Sequence, residues 1–157
     1  MIKILFICHG NICRSPMAEF IFRQKVREAG CEEQFQIDSA ATSTEEVGNE
    51  MDRRAQVCLR RHQIPFGSHR SRQITPVDLQ TFDYIIAMEE RNLRNLERYP
   101  GPSGKYSLLL EYTGTSGNIS DPWYSGEFET AYSEIEAGCT AFLEYCMRKS
   151  TAFHPAH

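Results

Sequence analysis

The sequence predicts an α/β fold, a three-layer, doubly wound (flavodoxin-like) sheet of four parallel strands with helices on both faces. Two observations predict it. Short apolar runs alternate along the chain with longer segments of helical periodicity, which is typical of parallel strands joined by helical crossovers. The 157 residues, of which 41% are hydrophobic and 24% charged, suffice for one core. We therefore expect a single domain over residues 1–149 and a flexible tail over residues 150–157.

The first half of the chain contains two predicted strands, each followed by a predicted helix. The strands cover residues 2–7 and 35–39, and the helices cover residues 16–29 and 52–62. Ser15 and Pro16 are typical of an N-cap followed by proline in the first helical turn, so they predict where the first helix begins. The second helix is expected to bury Val57, Cys58 and Leu59, because a surface helix turns its apolar side chains to the core.

The second half of the chain repeats this alternation. Strands are predicted over residues 83–88 and 106–110, and helices over residues 89–99 and 127–147. Glycine and proline residues at 100–104 separate the third helix from the fourth strand. Cys139 and Cys146 lie two turns apart on the apolar stripe of the last helix, so we expect them to pack in the core rather than to bind a metal.

Residues 8–16 connect the first strand to the first helix and read Cys-His-Gly-Asn-Ile-Cys-Arg-Ser-Pro. In doubly wound sheets, ligands bind at the carboxyl ends of the strands, where this segment lies. Cys8 and Arg14 flank five residues whose amides can surround a tetrahedral anion, and Gly10 and Asn11 readily adopt the left-handed or bridge conformations that such a loop needs. The amides and the guanidinium favour a thiolate at Cys8. The pattern indicates a nucleophile in a phosphate-binding loop; an ordinary strand-to-helix turn around a buried cysteine is the alternative.

Asp121 is the candidate proton donor for such a nucleophile. Expelling a phenolate requires a general acid, because the leaving oxygen gains a proton. Asp121 follows the predicted fourth strand and precedes Pro122, which biases it to an extended conformation and stiffens the loop. A simple Asp-Pro turn is the alternative interpretation of the same two residues.

Charge and hydropathy argue against several classes of partner. The net charge of −4 comes without a basic stripe, which argues against nucleic acid. No apolar run approaches the length of a membrane span, and no export signal is recognisable, so we expect no membrane partner and a cytoplasmic location. The 6 cysteines are accordingly expected to be thiols rather than a disulfide framework.

The loop and four later segments resemble the low-molecular-weight protein tyrosine phosphatase family. The loop is C-H-G-N-I-C-R-S-P-M-A-E, and the later segments, in the family's order, are residues 38–42, 68–74, 81–88 and 121–124. The resemblance covers residues 1 to about 147. It implies the family's fold and hydrolysis of phosphotyrosine and aryl phosphates through a phosphocysteine on Cys8, with Asp121 as general acid and then base. It also implies no metal or other cofactor, phosphotyrosine-containing proteins as partners, and phosphate, sulfate or vanadate as loop ligands.

The same resemblance implies roles for neighbouring residues. The phosphate would be held by Arg14 and the loop residues His9, Gly10, Asn11, Ile12, Cys13 and Ser15. The hydrogen-bonded scaffold that holds the loop would consist of Asn11, Ser15, Ser39 and His69. A histidine that is only buried, or only exposed, is the alternative for His69. The side chain of His9 is expected to point out of the loop.

The pocket rim and a redox role complete the predicted site. Trp123 and Tyr124 are expected to line the rim by stacking, with packing as the competing use of both rings. Many family members carry an aromatic residue on the opposite wall, where this chain offers Glu45, so we expect an open, acidic wall that disfavours acidic phosphopeptides. Cys13 is five residues from Cys8, and a reversible disulfide between them would protect Cys8 from over-oxidation.

Four other functions compete with this prediction. Protein arginine phosphatases of the same fold tend to have threonine where this chain has Ile12, which ranks that activity second. Arsenate reductases need further cysteines after the third strand, and none follows Met88. A phosphopeptide-binding module would not require the nucleophile, the arginine and the acid together. Zinc binding through Cys8, His9 and Cys13 lacks a spaced fourth ligand.

Overall fold

Four parallel strands form one sheet in the computed structural model, which describes residues 1–99, 103–115 and 117–149. The strands are β1 (Ile2–Cys8), β2 (Phe35–Ala41), β3 (Tyr84–Ala87) and β4 (Tyr106–Leu108). Their order is β2-β1-β3-β4, and all neighbouring pairs are parallel. The chain winds to one side of β1 and then to the other, so the loops after β1 and β3 diverge and leave a cleft. The predicted doubly wound α/β fold is confirmed.

Helices cover both faces of this sheet. They are α1 (Arg14–Glu28), α2 (Arg53–Arg61), α3 (Pro76–Thr81), α4 (Glu90–Asn95), α5 (Pro122–Ser125) and α6 (Phe128–Lys149). Alternate residues of β1 lie on opposite faces of the sheet. Ile4 and Phe6 belong to the hydrophobic core between the sheet and α1 and α6, and Leu5 and Ile7 belong to the core between the sheet and α3. None of the helices in the described ranges is long and apolar enough to cross a bilayer.

The first helix differs from the sequence prediction at its start. α1 begins at Arg14, and Cys13 occupies the N-cap position without a side-chain cap bond, so the prediction of Ser15 as N-cap was wrong. The helix starts inside the predicted phosphate loop, and the Ser15 side chain faces the loop interior. The prediction for α2 was also wrong in part, since Val57 is 43% exposed while Cys58 and Leu59 are buried.

The fourth strand is shorter than predicted because α6 packs closely against the chain that follows it. β4 ends at Leu108, and Leu109–Thr113 form a 3-10 helix. The fully buried side chain of Leu109 lies against Gly138 of α6, where a Cβ would come within 2.5 Å of Leu109 Cγ. Only glycine permits this approach, so the helix presses onto the residues in which an extended strand was expected.

Two short helices were not predicted, although their start signals are present. Thr75 caps α3, because its hydroxyl oxygen accepts a hydrogen bond from the Asp78 amide, and the Asp78 carboxylate accepts one from the Thr75 amide in return. Pro76 occupies the first helical position. Asp121 caps α5 in a similar way, because its Oδ1 accepts a hydrogen bond from the Trp123 amide. The predicted tail over residues 150–157 lies outside the described residues.

Candidate active site

A pocket of about 80 Å³ opens at the carboxyl end of β1. It is lined by Cys8, His9, Gly10, Ile12, Cys13, Arg14, Glu45, Glu46, Asp121, Trp123 and Tyr124. The structure thus brings together the predicted nucleophile, arginine, acid and rim residues. Glu46 was not predicted. The remaining predicted residues, Asn11, Ser15, Ser39 and His69, support the loop from beneath.

The carbonyl groups of residues 8–13 are all hydrogen-bonded to groups that do not line the pocket. In order of the carbonyls, the donors are the Thr42 amide, the Ser43 amide, the Ser71 hydroxyl, the His69 imidazole, the Asp52 amide and the Met17 amide. In a trans peptide the N–H points opposite to the C=O, and the chain has no cis bond among its described residues. Outward carbonyls therefore turn the amides of residues 9–14 inward, around a space suited to an anion.

Asn11 holds the tightest bend of this loop. Its φ of 58° lies in the left-handed region, which is uncommon for a residue other than glycine. The fully buried side chain is fixed at both ends: Nδ2 donates to Ser15 Oγ (2.8 Å) and Ser39 Oγ (3.0 Å), and Oδ1 accepts from the Arg72 amide (3.2 Å). These bonds maintain the strained conformation.

Gly10 serves the loop by its size rather than by its φ. A Cβ on this residue would lie 3.2 Å from Glu46 Cγ, which is closer than an ordinary van der Waals contact. A larger residue would therefore require the Glu46 side chain to shift by a few tenths of an ångström. Of the two residues expected to adopt left-handed or bridge conformations, Asn11 is the left-handed one, and Gly10 does not have a positive φ.

Cys8 lies at the floor of the pocket and is 3% exposed. Its Sγ is 3.2 Å from the Asn11 amide nitrogen and 3.0 Å from Ser15 Oγ. Because Ser15 Oγ accepts from Asn11 Nδ2, the hydroxyl proton is free to point at the sulfur. A thiolate at Cys8 would therefore accept two hydrogen bonds from groups fixed in place before substrate arrives.

A buried carboxylate extends this network on the side away from the pocket. Ser39 Oγ accepts from Asn11 and donates to Glu19 Oε1 at 2.7 Å. Glu19 is 5% exposed and is paired with Arg23 on the next turn of α1. Sequence analysis missed Glu19, although an acid within the otherwise apolar run of residues 17–22 was a usable signal.

Arg14 is held by two carboxylates and a carbonyl. Its Nη1 donates to Glu89 Oε2 (2.6 Å) and to the Ile119 carbonyl (2.9 Å), and its Nη2 lies 3.4 Å from Asp121 Oδ2. Burial lowers the pKa of Arg14, but the neighbouring Cys8 sulfur, together with Glu89 and Asp121, outweighs burial and raises this pKa. Arg14 is therefore a permanent cation whose guanidinium group is already oriented.

Sequence analysis also missed Glu89. It follows β3 immediately, and the carboxyl ends of β1 and β3 are adjacent in the sheet. A charged residue directly after the third strand was the signal for a partner of Arg14. Ser43, Ser71 and Asp52, whose donors bind loop carbonyls, were missed as well, because nothing in their local sequence connects them with the loop.

Asp121 lies on the wall of the pocket contributed by α5. Its Oδ1 accepts from the Trp123 amide at 3.0 Å, and its Oδ2 faces Arg14. The side chain is 32% exposed, so it is accessible both to a leaving group and to water. The start of α5 at Pro122 fixes the backbone that carries this carboxyl.

The mouth of the pocket has an acidic wall and an aromatic wall. His9 Nε2 and Glu45 Oε2 are 3.0 Å apart; the Glu45 side chain is largely exposed and the His9 side chain partly exposed. On the other wall Trp123 is 45% and Tyr124 86% exposed, and the Arg54 guanidinium lies 5.4 Å from the centre of the Trp123 ring. The exposed ring faces are available for stacking against a substrate.

Cys13 differs in character from Cys8. Burial, with smaller contributions from Asp52 and Cys8, raises the pKa of the Cys13 thiol well above its ordinary value. Cys13 is therefore a neutral thiol and a poor nucleophile. All cysteines in the described residues are free thiols, in keeping with the sequence expectation.

Comparisons with known proteins are consistent with the geometry of the site. The family model for low molecular weight phosphotyrosine protein phosphatase matches residues 3–152. The human protein of that name is 45% identical over 149 residues, which cover 90% of this chain and 94% of the human one. The crystal structure of YfkJ from Bacillus subtilis has a TM-score of 0.92 at 38% identity and covers 96% of this chain and 98% of that one. A drosophila arginine phosphatase has a TM-score of 0.85 at 36% identity, covering 96% and 99%. The chain therefore belongs to the low molecular weight phosphotyrosine protein phosphatase family of enzymes.

Proposed function

We propose that this enzyme hydrolyses phosphotyrosine and aryl phosphates through a phosphocysteine on Cys8, with Asp121 as general acid and then general base. The observation that carries the proposal is the closed ring of inward amides, with a hydrogen-bonded sulfur at its centre and Arg14 at its edge. Such a ring binds the equatorial oxygens of a transferring phosphoryl group.

In the first step the Cys8 thiolate attacks phosphorus in line with the ester oxygen. The S–P bond forms as the P–O bond to the tyrosine breaks, and Asp121 gives its proton to the departing oxygen. Arg14 and the loop amides hold the phosphoryl oxygens during transfer. Glu89 contributes indirectly, because its bond to Nη1 fixes the orientation of the guanidinium.

In the second step water replaces the sulfur. Asp121, now a carboxylate, takes a proton from water as the water oxygen attacks phosphorus. The S–P bond breaks and the electron pair returns to Cys8. The Ser15 hydroxyl and the Asn11 amide stabilise the departing thiolate, so the enzyme is restored with inorganic phosphate as the product.

Phosphoarginine hydrolysis is the second candidate activity. The likeness to the drosophila arginine phosphatase favours it, as do Glu45 and Glu46, whose carboxylates line the pocket and would attract a guanidinium. Against it, the apolar side chain of Ile12 and the partly exposed ring of Trp123 line the same pocket. These surfaces suit a flat aromatic ring better than a cation, so phosphotyrosine remains the proposed substrate.

A peptide panel tests the choice of substrate. Matched phosphotyrosyl, phosphoseryl and phosphoarginyl peptides are incubated with the enzyme under reducing, metal-free conditions. We expect kcat/KM to be highest for the phosphotyrosyl peptide, because its ring fills the space between Ile12 and Trp123. A higher value for the phosphoarginyl peptide would replace this proposal with the second one.

The acidic wall predicts a charge preference among phosphotyrosyl peptides. Peptides with lysine beside the phosphotyrosine should be favoured over those with glutamate, and Glu45→Gln should reduce this preference by about 1.5- to 5-fold, as exposed ion pairs do. The measurement is kcat/KM for both peptides at low salt. Glu144→Gln, on the exposed side of α6, makes the same charge change away from the pocket. Equal kcat/KM values for the two peptides with the parent enzyme would refute this preference.

Cys13 is proposed to protect the nucleophile from oxidation. When peroxide converts Cys8 to a sulfenic acid, condensation with the Cys13 thiol forms a disulfide and releases water, and added thiol reductant then restores both thiols. Cys13→Ser should turn over normally but recover much less activity after peroxide followed by reductant. Cys31→Ser, another buried cysteine, is the control. Full recovery of activity by Cys13→Ser after peroxide and reductant would contradict this protective role.

A further inference from the structure

A second cluster of chemically reactive side chains lies outside the phosphate pocket. Cys58, His62 and Glu129 bring a thiol sulfur, an imidazole nitrogen and a carboxylate oxygen within 4.8 Å of one another. Cys58 and His62 are four positions apart at the end of α2 and therefore share one face of the helix. Glu129 belongs to the first turn of α6. None of the three lines the pocket around Cys8.

We propose that this cluster binds a zinc ion. Sulfur, imidazole nitrogen and carboxylate oxygen are the ligand atoms that zinc takes in proteins, and ligands at positions i and i+4 of a helix are a common way to supply two of them. Three protein ligands leave one tetrahedral position for water. Cys58 and Glu129 line a groove of about 600 Å³ beside α2, through which the ion and its water can enter.

The ligands are already oriented by their neighbours. The His62 ring stacks on Tyr132, with centres 3.7 Å apart and planes 8° from parallel. Arg61 Nη1 binds Glu129 Oε1 at 2.9 Å, which leaves Oε2 directed at His62 Nε2, 2.6 Å away. Supporting contacts of this kind hold metal ligands in position. On binding, bonds to the ion replace the His62–Glu129 hydrogen bond, and the Cys58 proton passes to solvent.

A metal at this site would join α2 to α6. The N-cap of α2 is Asp52, whose amide holds the Ile12 carbonyl in the phosphate loop. The ion would therefore stabilise the helix that supports the loop, without entering the chemistry. We expect zinc at about 100-fold excess over Kd to raise Tm by about 5–11 °C.

Cobalt absorption locates the metal. The full chain carrying Cys8→Ser, which removes the active-site thiol as a competing ligand, is titrated with Co²⁺ under reducing conditions. We expect one equivalent to bind with thiolate charge-transfer absorption. Adding Cys58→Ser should abolish that absorption, and adding Glu129→Gln or His62→Gln should weaken binding at least about tenfold. Cys31→Ser and Glu144→Gln are the matched controls, and we expect them to leave both the absorption and the binding of cobalt unchanged.

The thermal shift with Zn²⁺ supplies an independent readout in the enzyme with Cys8 intact. The shift should fall to about half or less in Glu129→Gln. Glu129 is exposed, so failure of this variant to fold would not explain the loss. Thiolate–cobalt absorption that persists in Cys8→Ser with Cys58→Ser would overturn the proposal, as would no cobalt binding in Cys8→Ser alone. An undiminished zinc shift in Glu129→Gln would also overturn it.

Discussion

Replacing Cys8 with serine is expected to abolish turnover of every phosphate ester, by several orders of magnitude in kcat. A serine hydroxyl at this position could keep the contacts to Ser15 and the Asn11 amide, but it stays protonated at neutral pH and cannot attack phosphorus effectively. The measurement is steady-state kcat with a phosphotyrosyl peptide and with an aryl phosphate. Persistent turnover in Cys8→Ser, verified to be free of parent enzyme, would contradict the assignment of the nucleophile.

The same variant should still bind substrate. The amides of residues 9–14 and the Arg14 guanidinium are positioned by contacts that do not involve the sulfur, namely the bonds to the loop carbonyls and the pair with Glu89. Calorimetric titration of Cys8→Ser with the phosphotyrosyl peptide should therefore give a Kd within about tenfold of the parent KM. Cys31→Ser, which changes a buried cysteine elsewhere, should retain full turnover.

Replacing Asp121 with asparagine is expected to lower kcat/KM, which reports the first phosphoryl transfer, by about 10²- to 10⁴-fold for substrates with a poor leaving group, the contribution typical of general acid catalysis. Asparagine keeps the shape of the residue and can still accept from the Trp123 amide, so the loss reflects the missing proton. The loss should be smaller for p-nitrophenyl phosphate, whose leaving group needs little protonation.

Leaving-group dependence distinguishes a proton donor from a structural residue. If Asp121 only supported α5, Asp121→Asn would lower kcat/KM equally for good and poor leaving groups, and that result would contradict the acid role. Asp83→Asn provides a matched control, since the Asp83 carboxylate binds the Lys3 amide near the start of β1 and β3, away from the pocket. It should leave the leaving-group dependence unchanged.

The sequence was sufficient to predict the sheet and its winding, because buried parallel strands appear as continuous apolar runs separated by helical periodicity. It failed where contacts distant in the chain determine local structure. β4 stops early because Leu109 packs beneath Gly138, and α1 begins at Arg14 because the loop runs directly into the helix. Neither effect can be read from neighbouring residues.

In the site, too, local sequence patterns could be read and contacts between distant residues could not. Cys8, Arg14 and Asp121 could be proposed because each lies in a short, recognisable pattern, and the structure places them in one pocket. Their partners come from elsewhere in the sequence: Glu89 follows β3, and the donors that turn the loop carbonyls outward come from four separate segments. The Cys58 cluster was missed for a related reason, because its third ligand, Glu129, lies on another helix.

The most direct test of the account is to trap the covalent intermediate. In Asp121→Asn, p-nitrophenyl phosphate should still transfer its phosphoryl group to the enzyme, but water should attack slowly without the base, so the intermediate accumulates. Rapid quenching, proteolysis and mass spectrometry should then find one phosphoryl group on the peptide that contains Cys8, and localise it to that sulfur. A phosphoryl group on another residue, or an unmodified enzyme despite a burst of p-nitrophenol, would contradict the account.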